Sequence, residues 1–237
     1  MPRQSLPRYV AEMLRNEIVA GRFAGADVLP SETELARAFE ISRPTLREAL
    51  RVLEHEGWLT RRHGVGSFVN RPVTAGLERL ESFTEAIRRT GEQATDQVLE
   101  ICERPIDASG ASTLGVRPGA PGILVRSLRR ARGHPVLYCE DLLPGHLVGS
   151  VEMVQRRRER ESLLDFLRLD LRIDVAEATL WLTACAASPR VARLLEVPVR
   201  KPLLRLAGIA RDRNQTPLYR TTNYVCTDRY VFTVVRR

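Results

Sequence analysis

Arg43 and Arg47 stand four residues apart among hydroxyl side chains, in the run Ser42-Arg43-Pro44-Thr45-Leu46-Arg47. On a helix such a pair shares one face. Each guanidinium is a planar fork that fits the O6 and N7 acceptors of guanine or clamps a phosphate. The hydroxyls of Ser42 and Thr45 can donate to phosphate oxygens. A solvated helix face carrying two charges would show the same residue types. A second cationic group, Arg126, Arg129 and Arg130, lies in a β-prone run, followed by Glu140 in the otherwise apolar PVLYCEDLLP. Strand alternation sends Arg126 and Arg130 to one face and Arg129 to the other, and a charge in an apolar strand calls for a partner. A third group is Ser82-Phe83-Thr84 ahead of EAIRRTG. Free amides and a hydroxyl at a helix start suit an anion; an ordinary N-cap with Phe83 in the core fits equally. No nucleophile–base pair stands out. Neither the four histidines (55, 63, 134, 146) nor the four cysteines (102, 139, 185, 226) have ligand spacing. The expectation is therefore no catalytic residue, no metal, no cofactor and reduced thiols.

The elements that must position the first group are short. Residues 8–20 carry Val10, Met13, Leu14 and Ile18 at helical spacing, with Gly21 as a stop. Ser31 and Glu34 form an S-x-x-E capping box for a second helix, about 32–40. A third helix begins near Arg43, with Ser42 as N-cap and Pro44 in the first turn, where a missing N–H costs nothing. Leu46, Ala49, Leu50 and Leu53 form its buried stripe, which leaves Arg43 and Arg47 outward at the N-terminal end. WLTRRHGVGSFVN then reads as a hairpin turning at His63-Gly64-Val65-Gly66. Three helices and a hairpin make a winged helix-turn-helix, whose third helix meets base edges. Bare glycines at the wing tip let the backbone approach a minor groove, and His63 there is a contact or an exposed turn residue.

Residues 73–80 read as a linker between a first domain, 1–72, and a second, 81–237. Within the second, an internal repeat appears. Residues 114–144 and 195–225 each begin Leu-x-Val, place a proline seven residues after that leucine (Pro121, Pro202), and carry a second proline at Pro135 or Pro217. A strand (97–106; 174–187) and a short helix (109–114; 189–195) precede each hairpin. Two copies of strand–helix–hairpin predict a six-stranded, mostly antiparallel sheet, with a helix at 162–170 between them.

The formal charge is +8 over 237 residues, which favours anionic partners, nucleic acid first. Residues 1–72 hold 11 Arg against 9 Asp and Glu, a net of only +2, so recognition must come from local placement. Hydrophobic residues make up 43 %, enough for a real core. No apolar run reaches the length of a membrane span, and MPRQSLPRYV lacks the apolar centre of a signal peptide, so a cytoplasmic protein is expected.

Residues 9–70 resemble the DNA-binding domain of the GntR family of bacterial transcription regulators, through VAGRF, LPSETELARAF, ISRPTLREALRVLEHEGWL and RRHGVGSFV. Residues 80–237 resemble the effector-binding UTRA domain of the HutC branch, of chorismate-lyase-like fold, through LESFTEAIRRTG, HPVLYCEDLLP and TPLYRTTNYVCTDRYVF. The implied architecture is an α+β winged helix-turn-helix followed by an α/β chorismate-lyase-like domain. The resemblance implies DNA contacts at Ser42, Arg43, Thr45, Arg47, His63 and Gly64. It departs at Thr33, where many members carry a basic or amide residue, so operator preference would differ. It implies an anion-binding loop at Ser82, Phe83 and Thr84. Arg129 matches the effector-facing arginine, with Arg126 as second choice, and Glu140 matches a position that bonds ligand hydroxyl or amine groups. Where members often have Glu and Tyr, this chain has Tyr219 and Val225, so Tyr224 is the candidate hydroxyl.

The reading that follows is a ligand-responsive DNA-binding regulator: a repressor acting as a homodimer on double-stranded operator DNA and answering to a small anionic metabolite. Two alternatives stand beside it: an enzyme of chorismate-lyase-like fold, and a DNA-binding dimer with no small-molecule effector.

Overall fold

The computed structural model describes residues 5–20, 22–23, 28–62, 65–70, 73–77, 79–156 and 162–234. The chain divides into two compact units, Met1–Pro72 and Val73–Arg237.

The first unit contains α1 (Leu6–Val19), α2 (Glu32–Ala38), α3 (Arg43–His55) and the antiparallel hairpin β1 (Leu59–Arg62) and β2 (Gly66–Val69). The periodic apolar residues do what their spacing requires. Val10, Leu14 and Ile18 of α1, Leu35 of α2 and Leu46, Ala49, Leu50 and Leu53 of α3 form one core with Trp58 and Leu59. Both predicted caps form. Ser31 Oγ accepts from Glu34 N while the Glu34 carboxylate takes the Ser31 N–H, and Ser42 Oγ accepts from Thr45 N.

The second unit begins with β3 (Val73–Gly76), followed by α4 (Phe83–Arg89), β4 (Ala94–Pro105), α5 (Ala108–Leu114), β5 (Pro121–Ala131) and β6 (His134–Pro144). Then come α6 (Gly145–Val148), α7 (Val151–Gln155) and α8 (Leu163–Asp165), which runs into one π turn over Phe166–Asp170. The unit closes with β7 (Glu177–Ala186), α9 (Pro189–Leu195), β8 (Pro202–Arg211), β9 (Pro217–Val225) and β10 (Tyr230–Thr233). Six strands form one sheet in the order β4-β5-β6-β9-β8-β7, and all five neighbouring pairs are antiparallel. The two repeats supply β4–α5–β5–β6 and β7–α9–β8–β9, as the paired prolines foretold.

One expectation is corrected. The stretch read as a linker, 73–80, opens with β3, which pairs in parallel with β10 at the far end of the chain. Val73 is 4 % exposed and packs beside Tyr230 in a core cluster. Its strand partner lies some 157 residues further on, a separation that local composition does not reveal.

Each face of the six-stranded sheet carries two apolar clusters with polar residues between them. On the front, one cluster gathers Val125, Leu143 and Tyr219 with α6–α8, and another gathers Leu137, Leu206 and Val225 with α4 and β10. On the back, α9 covers Leu128, Tyr138 and Leu203, and α5 covers Leu124 and Leu142.

Candidate functional site

In the first unit the exposed edge of α3 is built from its cap outward. The Ser42 and Thr45 hydroxyls lie 2.8 Å apart in the first turn. Arg43 and Arg47 are exposed, while Leu46 and Leu50, on the other side of the helix, are at most 1 % exposed. The structure adds two residues that the motif reading passed over. Arg47 Nε donates to Glu32 Oε2 at 2.7 Å, and Arg61 of β1 donates to the other oxygen of the same carboxylate. The hydrogen bond from Arg47 holds the Glu32 carboxyl below the usual carboxylate range, with the charges of Arg47, Arg61 and Arg43 adding to it. One carboxylate from α2 thus fastens guanidinium groups from α3 and β1 side by side, and three cations around one anion leave a local surplus of two positive charges. Glu32 is the first residue of α2, a position that favours acids for dipole reasons alone. Its sequence signal was therefore indistinguishable from an ordinary helix start. His63 and Gly64 lie outside the described residues.

In the second unit a cavity of about 310 Å³ opens on the front of the sheet, between its two apolar clusters. That volume is at the lower end of small-molecule sites. Its sheet wall carries Arg129 of β5, Asp141 of β6 and Tyr219, Thr221 and Asn223 of β9. Ser82 and Phe83 line it from the start of α4. Arg129 is 4 % exposed. One of its terminal nitrogens donates to Ser127 Oγ, the other lies 3.3 Å from Asp96 Oδ2, and its Nε has no hydrogen-bond partner among the described residues. Burial opposes the charge of Arg129, and the carboxylates of Asp96 and Asp141 beside it more than offset that, so its pKa is raised. Burial likewise pushes the Tyr219 hydroxyl and the Cys139 thiol up, keeping both neutral. Asn223 Nδ2 donates to Thr221 Oγ1 at 3.1 Å, which fixes the amide along the wall.

Both readings of the Ser82-Phe83-Thr84 loop hold at once. Ser82 caps α4 by accepting from Glu85 N at 3.1 Å, and Phe83 packs edge-on against Tyr230 and Phe232, yet both residues line the cavity. Thr84 is fully buried and is not on the cavity wall.

The structure separates the other candidates. Arg126 lies three residues from Arg129 on one strand and so points to the back. Glu140 is its direct cross-strand neighbour and shares that face. Arg126 Nε donates to Glu140 Oε1 at 2.9 Å, its other end meets Glu100, and Tyr138 donates to Glu140 at 2.7 Å. Tyr224 stacks on Tyr138 with ring centroids 6.0 Å apart. Grouping Arg126, Glu140 and Tyr224 with Arg129 is therefore corrected: those three gather on the opposite face of the sheet, outside the cavity. Asp141, beside Glu140 in sequence, takes the cavity face instead, where Glu81 and Glu177 also line the wall, and Tyr219 and Asn223 rather than Tyr224 bring polar groups there. Strict alternation held this information, since neighbouring acids in a strand must part.

Family models match both units. The description "Bacterial regulatory proteins, gntR family" fits residues 6–69, and the UTRA domain fits residues 89–231. The chain belongs to the GntR family. It is a transcription regulator with a DNA-binding domain of that family and a UTRA effector domain, in the HutC branch. Among its relatives, the regulator is 32 % identical over 212 residues to the probable transcriptional regulator PhnF of Escherichia coli, covering 88 % of this chain and 86 % of that one. It is 27 % identical to the HTH-type transcriptional repressor NagR of Bacillus subtilis, over 94 % and 91 % of the two chains. The crystal structure of PhnF from Mycobacterium smegmatis superposes on it with a TM-score of 0.68 at 26 % identity, covering 94 % of this chain and 98 % of that one. The relatives are named as regulators, and that family membership decides against the enzyme reading. No helix among the described residues is long and apolar enough to cross a membrane.

Proposed function

We propose that this regulator is a cytoplasmic homodimeric repressor released from its operator by a small metabolite bearing an anionic group. The observation that carries the ligand is Arg129: a buried guanidinium on a cavity wall with its Nε unmatched. A buried donor left unpaired costs on the order of 1–3 kcal/mol, and more where the group is charged, and an incoming acceptor recovers it. The nearby carboxylates of Asp96 and Asp141 oppose a ligand that is anionic throughout. The metabolite therefore pairs its anionic group with hydroxyl or amine hydrogens that suit Asp141 and Tyr219. Ser82, Phe83, Thr221 and Asn223 complete this site.

On the DNA side, Arg43, Arg47, Ser42 and Thr45 are assigned to the major groove and its flanking phosphates, with the wing tip His63-Gly64 in the minor groove. Arg61 joins them through Glu32. The name of NagR supports the sign of control, and two half-sites about one helical turn apart suit a two-fold dimer.

The test is a gel shift at fixed salt on DNA upstream of the regulator's own gene, with a thermal-shift screen of inorganic phosphate, carboxylates, amino acids and sugar phosphates. The expected result is a sequence-specific complex, dissolved by a compound that also raises the melting temperature. A missing sequence-specific complex would overturn the operator assignment. A specific complex with no stabilising compound would favour the effector-free dimer.

A further inference from the structure

We propose that Tyr230 is a second binding residue for the effector, its hydroxyl donating to the same anionic group as Arg129 Nε, and that its strand links the cavity to β3, where the second unit begins. This rests on the anionic effector proposed above and names the residue that holds it together with Arg129.

Among the described residues that line the cavity, two buried side-chain donors have no hydrogen-bond partner: Arg129 Nε and Tyr230 Oη. A buried tyrosine hydroxyl normally finds a partner, and one left without it has given up its hydration for nothing. Tyr230 is 0 % exposed, so bulk water does not take that place. Burial, and after it the charge of the Glu81 carboxylate, push the hydroxyl up against the opposing effect of Arg89, so it stays protonated and has a hydrogen to offer. Packing does not account for the oxygen. The ring meets Phe83 edge-on with centroids 6.2 Å apart and leans on Phe232 at 5.0 Å, contacts that a phenylalanine would make as well. Two unmatched donors on one cavity wall suit a single group with several acceptor oxygens, a carboxylate or a phosphate.

The position of Tyr230 gives such a contact a consequence. It stands at the start of β10, opposite Val73 in the parallel pair β3–β10. Val73 is the first residue of the second unit, and its N–H donates to the carbonyl of Arg229, next to Tyr230. The chain therefore enters the second unit on the strand that Tyr230 pairs with. Both strands also reach the cavity, β3 through Gly76 and β10 through Tyr230 and Phe232. A parallel ribbon of two strands, four residues each, is marginal by itself, so a few contacts decide how firmly it closes. The Tyr230 hydroxyl lies under the cavity surface. An acceptor gains it by drawing the ring, and β10 with it, toward the cavity, and β3 follows its partner. Occupancy of the cavity and the setting of β3 are thereby coupled.

The experiment titrates the full chain with inorganic phosphate and, separately, with acetate at constant ionic strength, reading the melting temperature. The variant is Tyr230→Phe, with Tyr224→Phe on the opposite face of the sheet as control. One or both anions are expected to stabilise the wild type, and the stronger of the two names the group as phosphate or carboxylate. Tyr230→Phe is expected to keep or raise the melting temperature without anion, since it removes an unmatched group and strands no partner, and to need about tenfold more anion for the same rise. Tyr224→Phe is expected to respond as the wild type does. Amide exchange reads the link to β3: the stronger anion slows the amides of residues 73–76 and 230–233 about tenfold in the wild type and not in Tyr230→Phe. A Tyr230→Phe chain that answers to the anions like the wild type, or that melts clearly lower without them, overturns the Tyr230 assignment and leaves the anionic effector standing. Unmoved amides at 73–76 in an anion-bound wild type overturn the link to β3. A wild type that neither anion stabilises overturns the anion site itself, while the gel shift judges the operator reading separately.

Discussion

Arg47→Ala separates recognition from stability, and its magnitude follows from two features of α3. The Arg47 side chain is 53 % exposed and, among the described residues, makes one ion pair, to Glu32 at 2.7 Å. Exposed pairs contribute about 0.2–1 kcal/mol, and Glu32 keeps Arg61 after the substitution. For a unit of this size 1 kcal/mol is worth about 4–8 °C, so a melting loss of no more than about 8 °C is expected. A bidentate guanine contact is worth about 1–3 kcal/mol. Two copies on one operator lose about 2–6 kcal/mol, a weakening of about 30-fold or more. Leu50→Ala, three residues along the same helix, reverses the pattern. Leu50 is 1 % exposed in the core, and its truncation costs about 2–5 kcal/mol with a melting loss of roughly 10 °C or more. Circular dichroism melts and gel shifts at several salt concentrations measure both quantities. The salt series also tells base from phosphate: losing one phosphate contact lowers the slope by about one, whereas losing a base contact relaxes preference at one operator position. The reasoning fails if Arg47→Ala melts as Leu50→Ala does, or if it binds operator like the wild type.

The two pocket-region arginines make a second contrast. Arg129→Met is expected to abolish the melting shift caused by the effector and to lower stability by about 3–5 kcal/mol, because it removes a buried cation 3.3 Å from Asp96. Arg126→Met, on the opposite face, is expected to keep the effector shift in the same scanning fluorimetry. Gly208→Ala tests the packing of the sheet's β7 rim. A Cβ there stands 2.4 Å from the Thr179 carbonyl oxygen and 2.5 Å from Leu180 Cδ2, so β7 must move away from β8. A denaturant melt is expected to show a loss of about 1–3 kcal/mol.

Much of the fold was legible because local chemistry and tertiary packing agree in it. The capping box at Ser31, the N-cap at Ser42 and the stripe Leu46–Ala49–Leu50–Leu53 each state a helix and its inner face, and the structure uses them so. The repeated prolines marked two strand–helix–hairpin units, and the sheet contains both. The β3–β10 pair escaped because Val73–Gly76 is four residues long and its partner sits at the other end of the chain.

For the cavity, sequence supplied the alphabet and the alternation. Arg126 and Arg129 had to face opposite ways, as did Glu140 and Asp141, by the period of two alone. Which face carries the cavity depends on where α4, β10 and α6–α8 settle, and no local pattern records that. Asp96 reaches Arg129 only because β4 and β5 pair in the register that sets them opposite. Glu32 joins Arg47 and Arg61 only because three elements, separated by up to 29 residues, converge on one carboxylate. By itself the sequence determined the helices, their inward faces and the outward arginines, since those follow from contacts within a few residues. The tertiary structure decided the partners of the charges, because a charge is settled by whichever group the packed core brings within about 4 Å of it.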